Sequence, residues 1–271
     1  MTRLYTPKEF AQDICSEHGI LYETLSNGHI ARLTKGDKIK HLSGPYWDAN
    51  SAASCRIACD KAACYAILHH SGVPAVAHEL LLHPVKRMGY TGENGTWLQA
   101  IKFFTKHNNC VVVKPNSGSN GYAVQRCETL QELEAAVHLI FAESPSAAIS
   151  PYYEIKTEYR VFYAFGSCPF AYAKQTSATG WQHNLSQGAT AVEIVDTEKL
   201  GKLKKMACDA AHAININFAT VDIIETMLGE YLVIEINAGV QARQLVTQLP
   251  HLYPVAKSIY ETAILNMLDM R

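Results

Sequence analysis

The sequence predicts an α+β fold whose lobes are built from helices and neighbouring strands. Helical and strand-like segments occur in mixed order rather than in strict alternation. Several strand-like runs also follow one another with only turn residues between them. A doubly wound parallel sheet would instead need a helix in each connection between strands. The pattern therefore favours α+β lobes.

The first 50 residues have the pattern of one helix and a small hairpin. The helix is predicted at 5–18 and is followed by a short apolar stretch at 20–22. Two strand-like runs, 29–33 and 38–42, flank a turn that contains Gly36. Glycine is typical of hairpin loops, so we expect these two runs to pair.

The next part of the chain predicts two helices and a buried strand. A helical period runs through 51–70 and stops at Gly72, which has the character of a C-terminal cap. A second helix is predicted at 96–106. The β-branched run 110–114, which Pro115 ends, has the pattern of a buried strand.

The second half predicts five strands and three more helices. The strands are expected at 147–153, 158–165, 169–175, 218–225 and 231–237, and the helices at 129–142, 197–214 and 253–267. Residues 177–190 are rich in Ser, Thr, Gly and Asn and have no clear period. Loops of this length are usually functional or disordered. We interpret this segment as a candidate active-site lid, with a disordered loop as the alternative.

Composition and charge restrict the classes of function. The chain has 271 residues, of which 48% are hydrophobic and 18% are charged, and its formal net charge is -1. This is enough apolar material for a sizeable core, whereas the near-neutral charge provides no basic field for nucleic acid or an anionic membrane. The sequence has no signal peptide pattern and no apolar run long enough to span a membrane. We therefore expect a cytoplasmic protein with no nucleic acid and no membrane partner.

The eight cysteines raise the questions of disulfides and of metal binding. Their scatter in a chain without an export signal favours reduced core residues. Cys55, Cys59 and Cys64, with His69 and His70 close behind, match no zinc-site spacing. We interpret this group as packing residues and keep a metal cluster as the alternative.

A lysine at the end of a predicted strand precedes a loop of small residues. Lys114 ends the strand, and Pro115 and the loop 116–121 follow it. Backbone N–H groups in such a loop can approach an anion closely, and the lysine adds a positive charge for phosphate oxygens. The segment contains neither a Walker A nor a dinucleotide fingerprint. A turn without a ligand is the alternative interpretation.

Three oxygen-bearing side chains lie in two apolar strand-like runs near the C-terminal end. Asp222 occurs in 220–225, and Glu235 and Asn237 are two residues apart in the next run. A spacing of two on a strand places both side chains on one face. Isolated charges in apolar runs are costly to bury unless something compensates them. The oxygen atoms of these side chains are suitable ligands for Mg²⁺, which would provide that compensation. Pairing with Lys or Arg, or a solvent-exposed strand face, are the alternatives.

The order and separation of these features resemble those of the ATP-grasp superfamily. The chain most resembles the ATP-grasp domain of cyanophycin synthetase, followed by the ribosomal-protein glutamate ligases and the glutathione synthetases. The similar motifs extend over nearly the whole chain and include Asp60-Lys61, Gly72-Val73-Pro74, Val113-Lys114-Pro115, Glu158-Tyr159-Arg160-Val161, Val221-Asp222-Ile223 and Glu235-Ile236-Asn237-Ala238. The resemblance implies an ATP-grasp fold, in which two α+β lobes grip ATP.

The resemblance also implies a role for each matching residue. The implied ATP-binding residues are Lys61, Lys114, Ser117, Gly118, Ser119 and Gly121 at the phosphates, Pro151, Tyr152 and Tyr153 in the hinge at the adenine, and Glu158 at the ribose hydroxyls. The implied catalytic residues are Arg160 near the transferred phosphoryl group, Lys174, Asn184 and Arg243. The implied metal ligands are Asp222, Glu235 and Asn237, which would bind two Mg²⁺ ions, replaceable by Mn²⁺.

The chain departs from the family pattern around the substrate site. Gly239-Val240-Gln241 replaces the Ser-Pro-Gly or Ala-Pro-Gly turn of many relatives. Lys174 and His183 occupy positions that are often arginine in the glutamate ligases, which leaves the acidic substrate open. Arg243 is expected to anchor a substrate carboxylate, and a surface salt bridge is the alternative.

The segment 1–50 is shorter than the separate N-terminal domain of many relatives. We therefore expect a reduced N-terminal helix and hairpin at 1–50 and an ATP-grasp domain at 51–271, with lobe 1 at about 75–150 and lobe 2 at about 151–271. A second subunit, in a homodimer, could complete the substrate site.

The function that the resemblance implies is ATP-dependent ligation of a carboxylate to an amine through an acyl phosphate, with release of ADP and phosphate. The partners would be a small-molecule or peptide carboxylate and an amine acceptor. An ATP-grasp kinase and a nucleotide-binding module without turnover are the alternatives.

Overall fold

The computed structural model of the protein describes residues 5–86, 95–118, 121–175 and 188–269. The described residues form three antiparallel sheets with helices packed against them. The predicted α+β class is confirmed. Most of the candidate lid lies outside the described residues.

The N-terminal part forms one helix and a four-stranded sheet. Helix α1, Pro7–Glu17, begins with a capping box in which Thr6 and Glu9 bond each other's backbone N–H groups. The strands are β1 (Leu21–Leu25), β2 (Ile30–Lys35), β3 (Lys38–Ser43) and β4 (Tyr46–Trp47), each paired with the next. The predicted hairpin is confirmed as the β2–β3 pair and is extended by one strand on each side.

The single helix predicted at 51–70 is wrong. The chain forms α2, Ala52–Cys59, and α3, Lys61–His70, which meet at Asp60. Asp60 has an extended backbone (φ -105°, ψ 105°), and its carboxylate accepts the N–H of Ala63 at 2.9 Å. An aspartate at this position caps a new helix rather than continuing the old one. Gly72 follows α3 with a φ of +71°, as its predicted capping role requires.

The second sheet carries the lysine strand. Its strands are β5 (Glu79–Leu82), β6 (Val111–Pro115), β7 (Gln125–Cys127) and β8 (Ser146–Pro151), in the order β5-β8-β6-β7. Helices α4 (Gly95–Lys106) and α5 (Leu130–Glu143) share an apolar core with Val111 and Val113 of β6. Because side chains alternate along a strand, Lys114 lies on the other face of the sheet.

The third sheet is the largest. Its strands are β9 (Ile155–Ala164), β10 (Ser167–Gln175), β11 (Thr190–Glu193), β12 (Phe218–Thr226) and β13 (Tyr231–Asn237), in the order β11-β10-β9-β12-β13. Helix α6, Thr197–Ala213, packs its Leu203 and Ala207 with Val161 and Val221. This covers one face of the sheet.

Part of the opposite face is covered by the two ends of the chain. Phe162 and Phe218 share a core with α1, the N-terminal sheet and α8, Tyr253–Asp269. A short helix α7, Arg243–Gln248, and a 3₁₀ helix, Pro250–Leu252, connect β13 to α8. The rest of this face carries charged side chains, which form the candidate site.

The elements that the sequence patterns did not predict are short. They are β1, β4, β5, β7, β11, α7 and the 3₁₀ helix. Within the described residues, no helix is long and apolar enough to cross a membrane. The division into 1–50 and 51–271 stays a prediction.

Candidate active site

Six polar side chains lie on one face of four adjacent strands of the largest sheet. They are Glu158 and Arg160 on β9, Lys174 on β10, Asp222 on β12, and Glu235 and Asn237 on β13. The register places Asp222 directly between Arg160 and Glu235, and Glu158 opposite Lys174. Directly opposed residues of antiparallel strands point to the same face. Sheet pairing therefore brings together residues that are up to 79 positions apart in the chain.

Asp222 is buried and paired with two cations. Arg160 donates from Nε and Nη2 to its two carboxylate oxygens at 2.7 and 2.6 Å, and Lys174 Nζ lies 3.2 Å from Oδ2. Burial alone would raise the pKa of Asp222, but Arg160 and Lys174 lower it to about 2. Asp222 is therefore ionised at neutral pH, and its pairing with basic residues, an alternative from the sequence, is present in this structure.

Glu158 is the second carboxylate of this cluster. Its side chain forms an ion pair with Lys174 and is 14% exposed. Burial raises the pKa of Glu158, and Lys174 opposes that effect. For Lys174, burial lowers the pKa, but Asp222 and Glu158 raise it above its usual value. Lys174 is thus a permanent cation held between two carboxylates.

Glu235 and Asn237 complete the row of oxygen atoms. Asn237 donates from Nδ2 to Glu235 Oε1 at 2.9 Å and to Asp222 Oδ2 at 3.4 Å. This orientation leaves Asn237 Oδ1 as an acceptor. In the part of the chain that the structure describes, Glu235 forms no ion pair. Its negative charge is therefore available to a cation.

The three residues fit a metal that also binds phosphate. Carboxylate and amide oxygens are the ligands that Mg²⁺ prefers, and Mg²⁺ is commonly held by one or two carboxylates together with substrate phosphates. Among the described residues, no group of three or more His, Cys, Asp or Glu side chains could hold a metal by itself. Two carboxylates and one asparagine would need additional oxygens from a ligand.

Of the cysteines at 55, 59 and 64, the first and last are buried, whereas Cys59 is half-buried, with its Sγ 3.8 Å from the hydroxyl oxygen of Tyr46. Cys55 and Cys64 are buried in the core that also contains α6. Burial raises the pKa of Cys64 to about 12, so its thiol stays protonated at neutral pH.

Two lysines from separate elements face the row of oxygens. Lys114, at the end of β6, is 7% exposed. Burial and the neighbouring Lys61 lower the pKa of Lys114 to about 8, while Glu235 and Glu158 act in the opposite direction. A buried ammonium group with a lowered pKa needs an anion to compensate it.

The loop of small residues is attached to the N-terminus of α3. Lys61 Nζ donates to the carbonyl of Gly118 at 3.1 Å, and the N–H of Lys61 donates to the carbonyl of Asn116 at 3.1 Å. The structure thus brings Lys61, Lys114, Ser117 and Gly118 together. At the other end of the loop, Gly121 has a φ of +69°, a conformation that favours glycine. Ser119 lies outside the described residues.

The predicted hinge lies where β8 of the second sheet connects to β9 of the third. Pro151 ends β8 opposite Val111, and the N–H of Tyr152 donates to the carbonyl of Cys110 at 3.2 Å. The guanidinium of Arg126 lies 4.1 Å from the centre of the Tyr152 ring. Tyr153 follows and leads into β9.

Two of the predicted catalytic residues are not part of this cluster in the described structure. Arg243 begins α7, is exposed, and forms no ion pair with any described residue. Asn184 lies outside the described residues, as does His183.

Sequence patterns did not single out Tyr172, His78 or Asn116. Tyr172 is 1% exposed and lies opposite Arg160, where the spacing of two from Lys174 could have indicated it. His78 is 5% exposed, and its Nε2 has no hydrogen-bond partner among the described residues. Burial, with Lys114 and Lys61, holds the pKa of His78 well below its usual value. No local pattern marks His78, and the sequence indicated Asn116 only as a member of the loop 116–121.

Comparisons with known proteins identify the family and the fold. The model of the RimK-like ATP-grasp domain matches residues 58–250. No curated protein matches the chain in sequence.

Solved structures with a similar fold include D-alanine–D-alanine ligase from Bacillus anthracis, with a TM-score of 0.63 and 17% identity over 81% of this chain and 70% of that one. A bifunctional glutathione synthetase from Pasteurella multocida has a TM-score of 0.59 and 15% identity over 96% of this chain and 44% of that one. Biotin carboxylase from Campylobacter jejuni has a TM-score of 0.59 and 15% identity over 80% of this chain and 48% of that one. The chain thus spans about half the length of two of these proteins.

The fold is therefore the ATP-grasp fold. Because the matching family model covers more than half of its length, the chain belongs to the RimK-like ATP-grasp domain family.

Proposed function

We propose that the protein is an ADP-forming ligase that couples a carboxylate to an amine through an acyl phosphate. The carboxylate substrate would be an amino acid or a short peptide. One observation carries this proposal: Glu235, which is hydrogen-bonded to Asn237 in the row with Asp222, acts electrostatically on the buried Lys114, and Lys61 is a neighbour of Lys114. This arrangement suits the outer phosphates of ATP and an accompanying cation.

The proposed reaction requires positive charge more than a strong base. A carboxylate that attacks the γ-phosphate of ATP is an anion approaching an anion, so cations must offset the developing charge. Arg160, Lys61 and Lys114 would supply it, and Lys174 would keep Asp222 and Glu158 in place. Mg²⁺ held by Asp222, Glu235 and Asn237 would neutralise the phosphate oxygens further.

For the remaining residues we propose the roles that the resemblance to the family implies. The hinge 151–153 would contact the adenine, and Glu158 the ribose. Because Glu158 forms an ion pair with Lys174, a ribose hydroxyl would have to share that carboxylate. Asn184 would lie near the nucleotide, and the exposed Arg243 would anchor a substrate carboxylate. Residues 177–190 would close over the acyl phosphate, which hydrolyses in open water.

The names of two similar structures support ligation. One is a D-alanine–D-alanine ligase and another a glutathione synthetase. We extend this chemistry to the present chain as part of the proposal.

Substrates can be found by incubating the protein with MgATP and pairs of amino acids or dipeptides, with detection of ADP and of the condensed product by mass. With the amine left out, hydroxylamine should trap the acyl phosphate as a hydroxamate. Formation of AMP would contradict the mechanism. ADP with a stable phosphorylated product and no hydroxamate would indicate a kinase, and nucleotide binding without any ADP a binding module.

A further inference from the structure

We propose that Asn116 binds an outer phosphate of the nucleotide through its side-chain N–H₂ group while its oxygen atoms hold α3. This inference rests on the proposed use of ATP. Asn116 would thus both contact the ligand and attach the loop 116–121 to the N-terminus of α3.

The hydrogen bonds around Asn116 determine how its amide is oriented. The backbone N–H of Ala62 donates to Asn116 Oδ1 at 3.2 Å. An N–H group can donate only to the oxygen of the amide, so Nδ2 must point away from α3. The backbone of Asn116 is held as well, since its carbonyl accepts from Lys61 N at 3.1 Å and its N–H donates to the carbonyl of Ser146 at 3.4 Å.

The strand geometry places Asn116 beside Lys114. Asn116 directly follows β6, and its N–H bond to Ser146 continues the pairing of β6 with β8. Its spacing of two from Lys114 therefore places both side chains on the same face. That face is opposite the apolar core that contains Val113. The ammonium group of Lys61, from α3, contacts the same loop at the carbonyl of Gly118.

The Nδ2 group of Asn116 has no acceptor among the described residues, although the residue is only 2% exposed. Nδ2 is not one of the fully buried unpartnered atoms, so a ligand oxygen can reach it and become its acceptor. With Lys61 and Lys114 as neighbours, the fitting ligand is anionic and rich in acceptors. A phosphate group has this chemistry.

The test compares two caps of the same helix. Asn116 and Asp60 each accept one N–H group at the N-terminus of α3, from Ala62 and Ala63. Asn116→Ala and Asp60→Ala should therefore each lower the melting temperature by a few degrees. Only Asn116→Ala should weaken the binding of MgADP, by about tenfold, as expected when one hydrogen bond to a charged group is lost. Binding of adenosine, measured by the same calorimetry, should stay unchanged in both variants.

The Asn116→Asp variant distinguishes the proposed contact with phosphate from the hydrogen bond to α3. Its carboxylate still accepts the Ala62 N–H and should restore the melting temperature, but it has no N–H₂ group and should bind MgADP no better than Asn116→Ala. The inference is overturned if Asn116→Asp regains the affinity of the parent, or if Asn116→Ala binds MgADP within twofold of the parent.

A parent protein that does not bind MgADP would overturn both this inference and the proposed function. If the parent binds MgADP, Lys114→Ala does not, and Asn116→Ala binds as the parent does, the inference about Asn116 is wrong and the proposed function stands.

Discussion

Asp222 and Glu235 are neighbouring carboxylates with different electrostatic environments, because Arg160 lies beside Asp222 on the side away from Glu235. Both carboxylate oxygens of Asp222 accept hydrogen bonds from Arg160, whereas Glu235 accepts one from the neutral amide of Asn237. A carboxylate that a guanidinium already neutralises attracts a metal ion less strongly than one that remains uncompensated. We therefore expect Glu235 to contribute more to cation binding than Asp222.

Replacement of Glu235 should abolish turnover without unfolding the protein. Glu235→Gln keeps the size and the hydrogen bond from Asn237 but removes the charge. We expect a loss of activity on the order of 100-fold or more. Glu230→Gln, the same change at an exposed residue before β13, is the matched control. Activity is measured as steady-state ADP release, and stability by thermal unfolding. Activity within a fewfold of the parent would show that Glu235 is not a functional residue of the site.

The lowered pKa of Lys114 predicts a pH dependence of nucleotide binding. Lys114 has a pKa of about 8 and is therefore mostly charged at pH 7 and mostly neutral at pH 9. Since the charged form binds phosphate, the dissociation constant for MgATP should rise by up to about tenfold between these pH values.

Lys114→Arg provides the control, because arginine keeps its charge over this range. In titrations from pH 7 to 9 the arginine variant should show a flat profile. An equally steep profile in that variant would assign the dependence to another group.

At the scale of the elements, the contact between Gly239 and Pro45 explains why a glycine follows β13 so closely. Gly239 follows β13, and a Cβ atom on it would lie 2.6 Å from Cβ of Pro45, in the turn between β3 and β4. Separations under 3.0 Å force atoms to move. Glycine at this position therefore lets the loop after the metal-ligand strand pack against the N-terminal sheet.

Gly239→Ala should destabilise the protein by about 1–3 kcal/mol, the usual cost of overpacking. Gly201→Ala is the matched control, because a Cβ atom at this exposed position of α6 meets nothing within 4 Å. Alanine there should stabilise the helix by up to about 1 kcal/mol. Chemical unfolding measures both changes, and equal effects of the two variants would contradict the proposed close contact.

At the scale of the whole molecule, the N-terminal part and the largest sheet share one core. The ring of Trp47 lies 5.1 Å from that of Phe218 and 5.7 Å from that of Tyr260, measured between centroids. Asn50 also accepts the N–H of Phe218 at 2.8 Å and donates to its carbonyl at 2.8 Å. Phe218 begins β12, the strand that carries Asp222. The N-terminal part thus packs beside the site, on the same face of the largest sheet.

Trp47→Ala should destabilise the protein by about 3–5 kcal/mol and weaken nucleotide binding at the same time. Tyr46→Ala, at the exposed neighbouring residue, should change stability by less than about 0.5 kcal/mol. Thermal unfolding with and without MgADP tests both variants. A parent-like melting curve for Trp47→Ala would show that the two parts are stable independently.

The sequence by itself determined the longer elements, the fold class and the order of the motifs. Helices such as α5 and α6 extend over several turns, so their apolar period is readable, and Asp222, Glu235 and Asn237 are recognisable because polar residues are costly inside apolar strands. Strands of two to four residues, such as β4, β7 and β11, are too short to show a period. The break at Asp60 was missed because the apolar pattern continues across it.

Only the tertiary structure decided which of these residues meet. Arg160 pairs with Asp222 from 62 positions away, Asn116 caps a helix 54 positions before it, and Pro45 restricts Gly239. Each contact depends on sheet order and on the packing of separate elements. Local periodicity reports which face of an element is apolar, but it contains no information about the neighbour that covers that face or the charge that compensates a buried ion.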